Sequence, residues 1–269
     1  MTSAALKSID LTMSYTQSVA RNVFKQRLRM SDQTISRCLG VLAGGVALVT
    51  TSILFTPVQA VPRRIILLRH AEKTNSYALC EVGLRRSIAL RDHYLGENAT
   101  NDSVLDGQTP AAILGITLHT LETATPTAAS WNLPITMYAV TPGLRRSTTA
   151  SALSSATQLA AGDVLSNPEW HDRVVLMVWE HHQIASRPKE GRQATLRQLL
   201  NLGHLPDVPE KWHGKNYDYF WIIDFEPDRS KTPVDFRLVK QVYPSPFNTL
   251  PHNGWGDPLP GNFPSTCQR

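Results

Sequence analysis

Arg63-Arg64-Ile65-Ile66-Leu67-Leu68-Arg69-His70-Ala71-Glu72-Lys73 is the stretch whose reading decides the fold. Ile65 to Leu68 form the short apolar run of a parallel strand buried on both faces. The run stops at Arg69, His70, Glu72 and Lys73. Side chains placed there sit at a strand's carboxyl end, where open α/β sheets bind ligands because the loops leave a crevice. Neutral imidazole is nucleophilic near pH 7, its unperturbed pKa being about 6.5. A guanidinium beside it holds a phosphate oxygen by charge-assisted hydrogen bonds and so delivers phosphorus to the ring nitrogen. Arg69 and His70 therefore read as a phosphoryl acceptor, with an edge imidazole capping a strand among solvated charges as the alternative.

Outward from this stretch, the 269 residues suffice for one α/β domain once any leader is removed. The pI of about 9.2 invites a nucleic-acid reading, but six Lys or Arg and only two Asp fall in residues 1–60. Residues 61–269 then hold 21 basic and 20 acidic side chains, which argues against a nucleic-acid partner. Leu39 to Val49 is uncharged and mostly apolar, Arg27, Arg29 and Arg37 precede it, and Val58-Gln59-Ala60 has the small-residue spacing of a cleavage site. Residues 1–60 thus read as a leader with a secretory signal peptide, translation starting at Met30, and the mature protein as secreted or periplasmic. A membrane anchor over residues 39–55 is the alternative, although a spanning helix wants about 20 apolar residues. Cys38 lies in the leader, so Cys80 and Cys267 remain. In an oxidising compartment they can pair, or they stand as two buried thiols. No spacing suggests a metal site.

Along residues 61–269, apolar positions at Leu84, Ile88 and Leu95 predict a surface helix over 81–95. A polar loop follows, then a second strand over 111–116, a helix within 117–134, a third strand over 135–140 and a helix over 145–165. Val174 to Trp179 is the cleanest strand and runs directly into Glu180-His181-His182. A short helix over 194–202 is expected to end at Gly203. Residues 219–225 and 236–243 read as a hairpin, and six Pro and three Gly after residue 243 predict an extended coil tail.

The run Arg69-His70-Ala71-Glu72 resembles the hallmark Arg-His-Gly/Ala-Glu of the histidine phosphatase superfamily, also called the phosphoglycerate mutase-like family. The likeness covers residues 63–184 and implies a three-layer α/β/α sandwich with a mostly parallel sheet, here with the added hairpin and coil tail. It also implies a second Arg early in a later helix, and two registers compete for it. One is Thr141-Pro142-Gly143-Leu144-Arg145, continuing to Thr149-Ala150. The other, residues 115–124, puts Glu122-Thr123-Ala124 in the family's Gln-Thr-Ala slot and His119 in the Arg position. The 49 residues from His70 to His119 suit one crossover of roughly 30 residues plus a loop. The longer path to Arg145 leaves the 111–116 strand unassigned, so the His119 register is preferred, and Arg145 or Arg146 becomes the candidate replacement for the missing guanidinium.

Trp179-Glu180-His181 resembles a Trp-Glu-His variant of the family's second His, the alternative being a strand-end imidazole bonded to a loop carbonyl. The resemblance implies hydrolysis of a phosphate monoester through phosphohistidine on His70, with neither metal nor cofactor. Arg69, His181 and a third cation would hold the phosphate oxygens, with Lys73, His119 and Arg145 as further phosphate-side candidates. Glu180 is the nearest proton donor, with Glu72 and Glu122 behind it. The substrate is expected to be a phosphorylated small molecule or phosphoprotein, with no membrane contact after the leader is cleaved. A non-catalytic anion-binding relative and a phosphomutase are the alternatives. Trp212 to Tyr217 and Trp255 are candidate pocket walls, or ordinary packing.

Overall fold

Ile65 to Leu68 are almost completely buried in β1 (Arg64–Arg69) of a computed structural model that describes residues 60–101, 103–140, 146–187, 193–226 and 230–268. The remaining elements are α1 (Glu81–Leu90), β2 (Pro110–Gly115), α2 (Leu118–Ser130), β3 (Ile135–Met137), α3 (Arg146–Val164), β4 (Val174–Trp179), α4 (His181–Ile184), α5 (Leu196–Leu199), β5 (Tyr219–Phe225) and β6 (Pro233–Lys240). The six strands form one sheet in the order β3-β2-β4-β1-β5-β6. Neighbours from β3 to β1 pair parallel, while β5 and β6 are antiparallel additions beside β1.

Strand side chains alternate between the two faces, and the core divides accordingly. Ile65, Leu67, Val175, Met177 and Trp179 pack with Ala156, Ala160 and Val164 of α3. Ile66, Leu68, Leu176 and Val178 pack with Leu90 of α1 and with Ala124 and Ala128 of α2. The sheet is therefore the middle of three layers, as expected. Gly83 lets α1 approach the strand end: a Cβ there would lie 2.0 Å from the Glu72 carbonyl oxygen.

Several boundaries differ from the sequence reading. The first helix stops at Leu90 and continues as a π-helical turn, Arg91–Leu95. β3 ends at Met137 rather than Val140, although Tyr138 and Val140 still donate backbone hydrogen bonds to Gly115 and Ile116. Gly203 does not cap α5; Asn201 takes the left-handed conformation at φ 54°, and Gly203 lies within a following 3-10 turn. β6 begins at Pro233 and ends at Lys240, three residues earlier than the pattern suggested. Proline is tolerated as the first residue of an edge strand, whose outer N–H has no partner to lose. β5 does not alternate, because it lies between two strands with core on both faces. The expected leader, residues 1–60, lies outside the described residues except for Ala60. Among the described residues no helix is long and apolar enough to cross a membrane.

Of the two readings of the cysteines, the paired one holds: Cys80 and Cys267 form a disulfide across 187 residues of sequence. The bridge joins the start of α1 to the tail and packs with Tyr217 and Phe263. Closing so long a loop removes denatured-state entropy worth up to about 5 kcal/mol. The Cys80→Ser, Cys267→Ser variant should therefore unfold at clearly lower denaturant concentration, by as much as about 5 kcal/mol; an unchanged midpoint would show that the bridge adds no stability.

Candidate active site

Parallel pairing of β1 with β4 runs in register to the last residue, Arg69 opposite Trp179, and the His70 N–H then bonds the Trp179 carbonyl at 3.1 Å. The next residues of each chain segment consequently emerge side by side, with His70 beside Glu180 and His181 across 110 residues of sequence. Glu180 is the N-cap of the single-turn α4 and His181 its first residue.

His70 is fully buried, and its Nδ1 lies 2.7 Å from the Ala71 carbonyl oxygen. A carbonyl can only accept, so Nδ1 carries the proton and the Nε2 lone pair remains. That lone pair faces Glu180 Oε2 at 3.4 Å and Arg69 Nη2 at 3.5 Å. Burial pushes the His70 pKa down, and Arg69 adds to the effect, while the Glu180 carboxylate and the Ala71 carbonyl oppose it. His70 is accordingly a neutral imidazole with its nucleophilic nitrogen presented to a guanidinium.

Arg69 is fixed from both sides. Nη1 donates to the Gly214 carbonyl at 2.6 Å, and the guanidinium carbon sits 3.8 Å over the Tyr217 ring, a contact worth about 0.5–2 kcal/mol. Burial lowers its pKa against the pull of Tyr217, Glu180 and Glu72, and Nε is buried with no hydrogen-bond partner. Glu180 Oε1 accepts from the Thr117 hydroxyl at 2.9 Å. Burial alone would raise this carboxyl, but with His70 neutral the Lys73 ammonium still pulls it the other way, and Glu180 is held below the usual carboxylate range. His181 departs from its expected role as a cation: burial, then Arg69, His182 and His70, push its pKa far down. In the free site it is a neutral hydrogen-bonding group whose Nδ1 is buried and unpartnered.

The His119 register brings its residues to the same place. The His119 and His70 ring centroids are 5.3 Å apart, and His119 Nδ1 is 3.8 Å from Glu180 Oε1. His119 Nε2 donates to the Asn75 carbonyl at 2.8 Å. The Ala71 N–H bonds the Thr123 hydroxyl, which itself donates to the His119 carbonyl, so α2 is tied directly to the loop carrying His70. Arg145 lies outside the described residues, as does the Arg146 side chain. Lys73 follows β1 in an isolated bridge with Leu79 and is close enough to Glu180 to lower its pKa.

The other two candidate proton donors are engaged elsewhere. Glu72 is fully buried and accepts from Arg86 Nε at 2.9 Å and Nη2 at 2.6 Å. Glu122 accepts from the Leu79 N–H at 2.6 Å. Glu180 is the carboxylate that faces His70. The Trp212 to Tyr217 stretch forms a wall of the site through Gly214 and Tyr217, and a Cβ on Gly214 would lie 3.1 Å from His181 Nε2. Trp255 packs against Trp212 and Trp221 instead. Thr117 and Thr123 were not read from the sequence as site residues, although a Thr at a strand end before an apolar helix is a cap signal that points to Thr117.

No protein-family model matches this chain, and no curated protein does. Among solved structures it is similar to mycobacterial glucosyl-3-phosphoglycerate phosphatase at 18% identity and a TM-score of 0.40, covering 66% of this chain and 98% of that one. The same phosphatase with inorganic phosphate gives 18% and 0.40, over 66% of this chain and 96% of that one. A protein described as mycobacterial hydrolase 2 gives 17% and 0.39, over 66% and 90%.

The buried neutral His70 makes a direct prediction. Its folded pKa lies below the unfolded value, so the unfolded chain binds more protons as the pH falls and stability is lost on acidification below about 6.5. In a histidine NMR titration the His70 ring should reach its midpoint below about 6.5; a midpoint at or above that value would contradict the assignment.

Proposed function

We propose that the chain is a member of the histidine phosphatase superfamily that hydrolyses phosphate monoesters through a phosphohistidine on His70. The observation that carries this reading is the Nε2 lone pair of His70, fixed by the Nδ1 to Ala71 carbonyl bond, within 3.5 Å of both a guanidinium and a carboxylate. A buried neutral nucleophile beside a fixed cation is what in-line attack on phosphorus requires.

In the first step Nε2 attacks phosphorus, the N–P bond forms and the ester P–O bond breaks. Arg69 meets the charge on the phosphate oxygens, and His181 supplies a hydrogen bond. A phosphate monoester has a second pKa near 6, so its monoanion brings the proton that the departing alcohol needs. The negative charge of the bound ester raises the Glu180 pKa from its low value in the free site, so the carboxylate takes that proton and returns it to the leaving oxygen. In the second step Glu180 draws a proton from water while the water oxygen attacks phosphorus. The N–P bond breaks, Nε2 regains its lone pair and inorganic phosphate leaves. The chain's own side chains supply every role, so the reaction is proposed to run without a metal.

The substrate is proposed to be a phosphorylated small molecule or phosphoprotein. The leader and the Cys80–Cys267 bridge together support export to an oxidising compartment, where disulfides persist. A non-catalytic anion-binding role is the second reading. It is favoured by one feature: an imidazole, His119, occupies the position where the family resemblance leads one to expect a guanidinium.

Release of phosphate from an aryl phosphate should be abolished by His70→Ala. Glu180→Gln should lower kcat by about 10²–10⁴-fold, with the larger loss on alkyl phosphates, whose leaving oxygen needs the proton more. Wild-type turnover in His70→Ala would overturn the mechanism. Phosphate binding without turnover across a broad substrate panel would favour the binding role.

A further inference from the structure

His70, Glu180 and His181 each present one ligand atom, and the three atoms lie within 4.8 Å of one another. We infer that this trio is also a binding site for a divalent transition metal such as zinc, and that the bound ion is a reversible inhibitor because it occupies the His70 lone pair. The binding stands on geometry, whereas the inhibition rests on the phosphoryl-transfer reading given above.

Two imidazoles and one carboxylate are a set that zinc accepts with a fourth position left open. Ligand distances of about 2.0–2.1 Å in a tetrahedral site put neighbouring ligand atoms about 3.4 Å apart. His70 Nε2 and Glu180 Oε2 are 3.4 Å apart with no ion between them. His181 then needs to move inward by little more than an ångström, roughly the difference between 4.8 Å and that tetrahedral edge. Its Nδ1 is buried and has no hydrogen-bond partner, so a ring nitrogen is open to a ligand rather than committed to the protein.

The outer contacts match those of metal sites. A ligating imidazole normally donates its other N–H to a carbonyl or carboxylate, and a ligating carboxylate is itself hydrogen-bonded. His70 Nδ1 donates to the Ala71 carbonyl, and Glu180 Oε1 accepts from Thr117. Both contacts aim the remaining atom, Nε2 and Oε2, at the same point. Arg69 opposes a cation there, its Nη2 being 3.5 Å from His70 Nε2. Its other terminal nitrogen is held on the Gly214 carbonyl. With the ion bound, the net positive charge favours an anion at the open position, so phosphate and metal should bind together rather than exclude one another. The nucleophile alone is lost.

The three residues also explain why nothing in the linear sequence signalled a metal. His70 lies 110 residues from Glu180, far from any local ligand spacing, and only the β1–β4 register brings them together.

The test titrates the full chain with Co²⁺ alone and records the visible spectrum. One Co²⁺ per chain with the intense bands of four-coordination, displaced by Zn²⁺ and weakened at least about tenfold in His181→Ala and in Glu180→Gln, is the expected result. Zinc should then abolish aryl phosphate turnover, and a chelator should restore it. Binding unchanged in both variants, a six-coordinate spectrum, or the near-ultraviolet band of a thiolate ligand would overturn the site. If the Co²⁺ bands appear as expected but the metal-free protein never turns over, the site stands and the phosphatase reading fails. Turnover that appears only on metal loading would overturn the inhibitory role.

Discussion

The in-register parallel pairing of β1 with β4 is the constraint on which the rest of the site depends. Neither strand carries a complete site: β1 delivers a cation and an imidazole, β4 a carboxylate and a second imidazole. The ladder that joins Arg69 to Trp179 and His70 to the Trp179 carbonyl leaves no freedom in how those groups meet. A slip of one residue would turn each of these side chains to the opposite face. The same slip would send Ile65 and Ile66 each into the core on the other face of the sheet, where neither fits the packing it has now. The packing that makes the sheet a middle layer is thus what holds the site geometry.

Burial gives the site its electrostatic character and also its cost. An unpaired guanidinium in low dielectric is strongly unfavourable, and Arg69 is stabilised by a carbonyl and an aromatic face rather than by a dedicated carboxylate. Its positive charge is therefore not cancelled and remains available to an incoming anion. Behind it, Glu72 is neutralised by Arg86, which also donates to the Pro251 carbonyl, and so adds little negative charge to the pocket. The disulfide secures the tail whose Phe263 stacks on Tyr217. Stability and site are connected here, because the ring under Arg69 is held by the tail that the bridge anchors.

Much of this was legible in the sequence, for physical reasons that can be named. A run of four apolar residues ending in Arg-His is a strand with ionisable groups at its tip, and Val174 to Trp179 ending in Glu-His is another; strong periodicity and abrupt polarity changes carry both. The preferred register expected Thr123 and His119 near His70, and both meet its loop, whereas Arg145 of the other register lies outside the described residues. Less legible were features that belong to pairs of distant residues. Glu72 looked like a possible acid, but Arg86 encloses it, and His181 looked like a cation, whereas burial and then Arg69 push its pKa down. Strand ends were misread where hydrogen bonding continues past the regular strand, as after β3, and where a proline opens an edge, as in β6.

The central claim is that His70 Nε2 itself forms a bond to phosphorus. Rapid quenching of the protein with an aryl phosphate during turnover, followed by peptide mass spectrometry under conditions that preserve phosphoramidates, tests it most directly. The account predicts one phosphoryl group on the peptide carrying His70, lost on mild acid treatment and absent in His70→Ala. A phosphoryl group on another residue, or sustained turnover with no phosphorylated His70 peptide, would contradict it.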